Sequence, residues 1–353
     1  MQGFVKTVKG RGTLDNRDSR FSEFEREQID DGWFQEAELP AFRTEVSIEV
    51  PRKIITTNDS PDLPFNQSIN AYRGCEHGCI YCFARPSHAY QGLSPGLDFE
   101  SKLTAKPDAA ALLRKELMAK SYQCSPISLG ANTDPYQPIE RQYQITREIL
   151  EVLASFKHPC TIVTKSALVE RDIDILACLA ADNLVKVNIS ITTLDKNLAR
   201  KLEPRASSPQ RRLQTISMLR RAGIPVSVLI APVIPVLTDT ELEQIISACA
   251  EAGAQSVGFI LLRLPREVSD LFENWLHDHY PDKAEHVMNR IRDSRGGKTN
   301  DPRFGHRLQG QGFYADMINQ RFQRAIKKHA LNQRSTPLNR DLFRPHPQQM
   351  DLF

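Results

Sequence analysis

Residues 70–86 read NAYRGCEHGCIYCFARP, and the fold is read outward from them. The stretch sets Cys75, Cys79 and Cys82 at C-x3-C-x2-C spacing, three soft donors on one short loop. Gly74 and Gly78 stand immediately before the first two cysteines, and glycine permits the sharp backbone turns that aim several thiolates at one point. Two metal chemistries match this donor set. Three thiolates suit three irons of a cubane and leave the fourth iron open for a substrate or cofactor. A zinc ion would instead take a fourth donor from His77 or His88, although zinc loops more often join a C-x2-C pair to a second, distant pair.

The loop closes a compact run, Ser68–Gly74, and five more such runs follow: Pro126–Asn132, Cys160–Thr164, Val185–Thr192, Val226–Val233 and Ser256–Leu262. Each suits a strand buried on both faces, and each is followed by a helical stretch, the signature of βα units around a parallel sheet. In the fifth unit Thr238 or Thr240 is expected to cap a helix. Leu242, Ile245, Ile246 and Cys249 form its inner stripe, and Gly253 stops it. Cys249, Cys178 and Cys160 are read as small core hydrophobes.

The 353 residues, 40% of them hydrophobic, suffice for one main α/β domain with extensions. Residues 1–60 read as a polar arm, 61–282 as the barrel, 283–331 as further helices including Tyr314–His329, and 332–353 as a flexible tail. The longest mostly apolar stretch, Val226–Leu237, is broken by Pro232 and Pro235, so no membrane span is expected and a cytoplasmic location is. Seven cysteines is an odd number, with three inside eight residues, which argues against a secreted disulfide framework. A net charge of +3 does not by itself imply a nucleic-acid partner.

With Tyr81 directly before Cys82, the loop resembles that of the radical S-adenosylmethionine (SAM) superfamily. The resemblance implies a partial (β/α)6 TIM-like barrel with an N-terminal arm and a C-terminal helical extension. It also implies a 4Fe-4S cluster on Cys75, Cys79 and Cys82, with SAM chelating the open iron. A reductant such as flavodoxin or ferredoxin would trigger SAM cleavage to a deoxyadenosyl radical. Barrel chemistry sits at the carboxyl ends of strands. There LGANTDPYQPIE supplies Gly130, Asn132, Thr133 and Asp134, and TKS places Lys165 either against a carboxylate or at the surface. NISITT points Ser190 and Thr192 to one face. LEPRAS carries Glu203 and Arg205, to hold the ribose and carboxylate of SAM or to pair with each other.

Together NAYRGCEHGCIYCFARP, DFESKL, NTDPYQPIE, TKS and EPR resemble the spore photoproduct lyase-related branch over about residues 60–280. That likeness implies SAM contacts from Lys165, Ser190 and the strand-two segment, and aromatic roles for Tyr81 and Phe83. The lyases carry a hydrogen-donor cysteine where this chain has Asn132, and Cys124 lies near the opposite end of strand two. The terminal Gln349-Met350-Asp351-Leu352-Phe353 resembles the peptide that docks bacterial proteins on the DNA sliding clamp, the alternative being an ordinary solvated end. Asp341-Leu342-Phe343 is a weaker copy or a docking segment. The leading expectation is a radical SAM enzyme acting on DNA or RNA, in repair or base modification. The alternatives are modification of a protein or small metabolite, and a non-catalytic cluster protein that binds nucleic acid or the clamp.

Overall fold

The computed structural model describes residues 10–13, 15–17, 20–21, 43–333 and 336–345; the clamp-like peptide at 349–353 lies outside them. Ten strands occur among these residues: β1 (Glu45–Ile48), β2 (Thr56–Thr57), β3 (Gln67–Ile69), β4 (Tyr72–Arg73), β5 (Lys102–Ala105), β6 (Ile127–Leu129), β7 (Cys160–Thr164), β8 (Val185–Ser190), β9 (Val226–Val233) and β10 (Ser256–Leu261). The main sheet runs β10-β9-β8-β7-β6-β3-β2. Its pairs from β3 to β10 are parallel and the short edge pair β2–β3 is antiparallel. Apolar residues face each other across the register, Ile69 with Leu129, Leu129 with Ile162, Ile162 with Val187 and Ile189 with Val228, and helices cover the outside. Such a mixed α/β arrangement of six parallel strands in sequential order is the expected partial barrel.

The run expected as one strand, Ser68–Gly74, divides. Only β3 stays in the barrel, while β4 turns away to pair antiparallel with β5 in a small sheet with β1. The break falls at Asn70, whose side-chain oxygen accepts the Asn132 N–H at 3.0 Å, so the amide ties the end of β3 to the loop after β6. This detour swings the cysteine loop over the mouth of the barrel. The second strand stops at Leu129 rather than Asn132 because Gly130 adopts φ +89°, and a Cβ there would meet the Val163 carbonyl oxygen at 2.3 Å.

The fifth-unit helix, Leu242–Glu251, buries Leu242, Ile245, Ile246 and Cys249 as expected, with Gly253 at φ +98° just beyond it. Neither threonine caps it. A 3-10 turn, Asp239–Glu241, precedes the helix, and the Thr238 hydroxyl accepts the Ile234 N–H at 2.8 Å. Cys160 and Cys249 are fully buried, but Cys178 is exposed, because the inner stripe of its helix is set by Leu176 and Leu179 and position 178 falls off it. After the barrel come helices Val268–His279, Pro281–Asp293 and Gly312–Lys328. Arg321 does not sit on a solvated face: it forks onto Glu243 at 2.6 and 2.8 Å. Residues 336–345 lie against the amino-terminal side of the sheet, where Leu342 and Phe343 pack on the core and Arg344 N–H reaches the Phe156 carbonyl. No helix among the described residues is long and apolar enough to cross a membrane.

Candidate active site

The cysteine loop is shaped by its glycines and by what lies under it. Gly74 and Gly78 take φ of +72° and +67°, the left-handed conformation that costs glycine least. The Cys75 N–H donates to the Phe99 carbonyl and the Cys82 N–H to that of Cys79. All three thiols are free, Cys75 buried and the other two half-buried. Burial pushes Cys79 up to about 12 and raises Cys75 as well, so a nearby cation would favour their ionised form.

Neither histidine completes a zinc site. His88 lies beneath the loop with Nε2 2.9 Å from the Lys102 carbonyl and its ring edge-on to Phe99. His77 Nδ1 is 3.3 Å from Asp134. No three His, Cys, Asp or Glu side chains gather on a single ion among the described residues. The donor set of three thiols on one loop fits a cluster, in which several irons share the ligands.

An unforeseen strap seals the loop from behind. Gly12 packs so closely that a Cβ on it would stand 1.7 Å from the Gly78 carbonyl oxygen. The buried Glu100 carboxylate holds the strap, accepting the Gly12 N–H at 2.9 Å, the Thr13 N–H and hydroxyl at 3.1 Å and the buried Arg85 guanidinium at 2.6 Å. Arg11 donates to the Glu100 carbonyl at 2.6 Å. Glu100 belongs to the DFESKL stretch, so a signal existed; its partners, far away in the polar arm, left none.

Several strand-end residues converge beside Cys79. The Tyr81 hydroxyl donates to Glu203 and lies 3.1 Å from Thr192, which itself donates to Glu203 at 2.7 Å. Arg212, unforeseen, closes this buried group by pairing with Glu203 and donating to the Ser190 carbonyl at 2.9 Å. Burial would raise the Glu203 carboxyl, but Arg212, Lys165 and the Tyr81 hydroxyl hold it at about 2. The Lys165 ammonium stands 5.8 Å from the Tyr81 ring centroid, turned into the site, where its charge reaches both Cys79 and Glu203.

Other residues play different parts. Glu203 and Arg205 do not pair with each other: Arg205 reaches Glu76 at 3.1 Å, and the Glu76 N–H is held by Gln137 at 2.9 Å. Asp134 is a clamp, accepting the Thr164 hydroxyl at 2.6 Å, the Lys165 N–H at 2.7 Å and the Tyr136 N–H at 2.9 Å. Burial opposes its ionisation, yet His77 and these donors keep it at about 2. Thr133 donates to the Tyr72 carbonyl at 2.9 Å.

Phe83 turns away from this group into an open pocket of about 280 Å³, shared with Tyr90, Asn132, Arg263 and Arg266. Asn132 thus stands at the pocket wall, while Cys124 precedes β6 at its other end, its thiol raised by burial to about 11. Arg263 was legible as a cation between Leu262 and Leu264; the pocket residues it meets from two other stretches of chain, 83–90 and Asn132, were not.

The family model described as the radical SAM superfamily matches residues 69–249, half of the chain. An uncharacterised protein of Mycobacterium tuberculosis is 40% identical over 222 residues, which span 62% of this chain and 65% of that relative. A radical SAM Nα-GlyT isomerase of Pseudomonas phage M6 is 25% identical over 52% of this chain and 36% of its own. Spore photoproduct lyase with bound AdoMet and dinucleoside spore photoproduct superimposes with a TM-score of 0.59 over 80% of this chain and 78% of the lyase, at 17% identity. The matched span contains the cysteine loop and the ends of β3 and of β6 to β9, and on this ground the chain belongs to the radical SAM superfamily.

Proposed function

We propose that this chain is a radical SAM enzyme that carries a 4Fe-4S cluster on Cys75, Cys79 and Cys82 and acts on nucleic acid. The observation that carries the substrate class is the pocket beside the cysteine loop: Arg263 and Arg266 line it, and neither is ion-paired with a carboxylate among the described residues. Two unneutralised guanidiniums at a substrate mouth call for an anion. The likeness in fold to spore photoproduct lyase, whose structure carries a dinucleoside spore photoproduct, makes a polynucleotide the anion of choice.

A cluster held by Cys75, Cys79 and Cys82 would, with SAM, supply the radical chemistry that abstracts hydrogen. The protein's part is positional. The three cysteine thiolates would hold the cluster, and the strap at Gly12 packs against the back of their loop. In this reading Lys165, Ser190 and Thr192 are the residues assigned to SAM, with Gly130, Thr133 and Asp134 beside them. The Tyr81–Glu203–Arg212 group fixes the aromatic ring next to Cys79. Asn132 offers an amide where the lyases carry a hydrogen-donating thiol, so hydrogen return by that route is closed to this chain.

Anaerobic reconstitution with iron and sulfide, then reduction with SAM, tests the reading. Deoxyadenosine should form, and the protein should bind oligonucleotides with an affinity that falls steeply with salt. A brown, folded protein that never cleaves SAM, or one with no salt-sensitive nucleic-acid binding, refutes the corresponding half.

A further inference from the structure

Five aromatic side chains stand out as exposed among the described residues: Phe21, Phe83, Tyr90, Phe304 and Phe313. The first four each lie against an arginine. Arg20 covers Phe21 at 4.6 Å and Tyr90 at 5.0 Å, Arg263 covers Phe83 at 5.0 Å, and Arg307 covers Phe304 at 4.9 Å. Arg266 reaches the Tyr90 hydroxyl at 3.5 Å. These pairs form one continuous rim. Phe83, Tyr90, Arg263 and Arg266 share the pocket, the Phe21 and Tyr90 rings are 5.5 Å apart, and the loop of Phe304 and Arg307 adjoins the strand that leads to Arg263, where the Leu261 N–H donates to the Leu308 carbonyl at 2.9 Å.

The charges along the rim are unequal. Arg20 is neutralised by Glu267 at 2.9 Å and Arg307 by a fork onto Asp62, so these two serve as planar partners that hold aromatic rings. Arg263 and Arg266 keep their charge for a ligand. Rings exposed at 44% for Phe83, 69% for Tyr90 and 53% for Phe304 cost apolar exposure, and burial under a flat partner recovers it. Flat apolar faces alternating with free cations match a strand whose bases are splayed open and whose phosphates run beside them. A duplex offers its phosphates but keeps its base faces stacked inside.

Resting on the nucleic-acid reading above, we propose that this rim binds an unpaired strand, bases lying on Phe83, Tyr90 and Phe304 and phosphates against Arg263 and Arg266. The pocket then receives one unstacked nucleotide beside the cysteine loop.

Fluorescence anisotropy with the full chain, a labelled single-stranded oligonucleotide of mixed sequence and the same sequence as duplex tests this, in DNA and RNA versions. The wild type should bind the single strand at least tenfold more tightly than the duplex. Tyr90→Ala and Phe304→Ala should each weaken single-strand binding roughly 5- to 100-fold, with Tyr90→Trp and Phe304→Trp restoring it. Arg266→Ala should lower the slope of log affinity against log salt by about one. Duplex binding as tight as single-strand binding, or alanine variants that bind like the wild type, overturns the rim. Failure of the wild type to bind either form overturns the nucleic-acid reading itself.

Discussion

Gly12 and Gly78 meet backbone to backbone: the space a Cβ on Gly12 would take is occupied by the Gly78 carbonyl oxygen, 1.7 Å away. The arm and the cysteine loop are therefore one structural unit, locked by Glu100. Gly12→Ala forces one of them to move, at a cost above the ~1–3 kcal/mol usual for an added methyl in a packed site. We expect iron content after reconstitution to fall at least by half while the far-ultraviolet circular dichroism of the barrel is unchanged. Full cluster loading by the variant would show that the strap does not support the loop.

The buried Glu203–Arg212 pair predicts a large stability effect. Removing one partner of such a pair leaves an uncompensated charge and costs about 3–5 kcal/mol. Glu203→Gln and Arg212→Met should each lower the unfolding free energy by that amount in urea titrations, with the double variant losing less than the sum. Additive losses would mean that the two side chains act separately.

His158 gives the fold a defined acid sensitivity. Its ring is buried between Tyr122 and Phe343, with Tyr122 Oη 2.7 Å from Nε2, and burial lowers its pKa from 6.5 to about 4. Between those values the unfolded chain takes up a proton that the folded chain refuses. The contribution is therefore intact above about pH 6.5 and is lost as pH falls through 4, at most about 3 kcal/mol. His158→Phe should remove that part of the pH dependence. A gap between wild type and variant that stays constant from pH 7 to pH 4 would contradict it.

Lys165 should matter to SAM and not to the cluster. Lys165→Met removes a cation whose hydrogen bond to a carboxylate is worth roughly a 10- to 100-fold change in affinity. Equilibrium dialysis of the reconstituted protein should show SAM binding weakened to that extent at unchanged iron content. Equal binding would place the lysine outside the cofactor site.

Which parts could be read from the chain follows from how far apart the determining residues stand. Alternation of β-branched runs with amphipathic stretches is local, so β7 and β9 were legible to the residue and the six-strand order with them. Cys75, Cys79 and Cys82 announce themselves because their spacing is itself the geometry. Contacts made across the chain have no such signature. The break of the first strand at Asn70 depends on a loop sixty residues away, and the strap depends on a carboxylate eighty-eight residues from Gly12. Arg212 becomes the partner of Glu203 only when two helices close over β8, and four arginines find their aromatic rings only once the arm, the cysteine loop and the far side of the barrel share a rim. Local periodicity and spacing determined the barrel and its cysteine loop. Burial and close approach between distant segments, which carry no pattern in one dimension, decided what surrounds them.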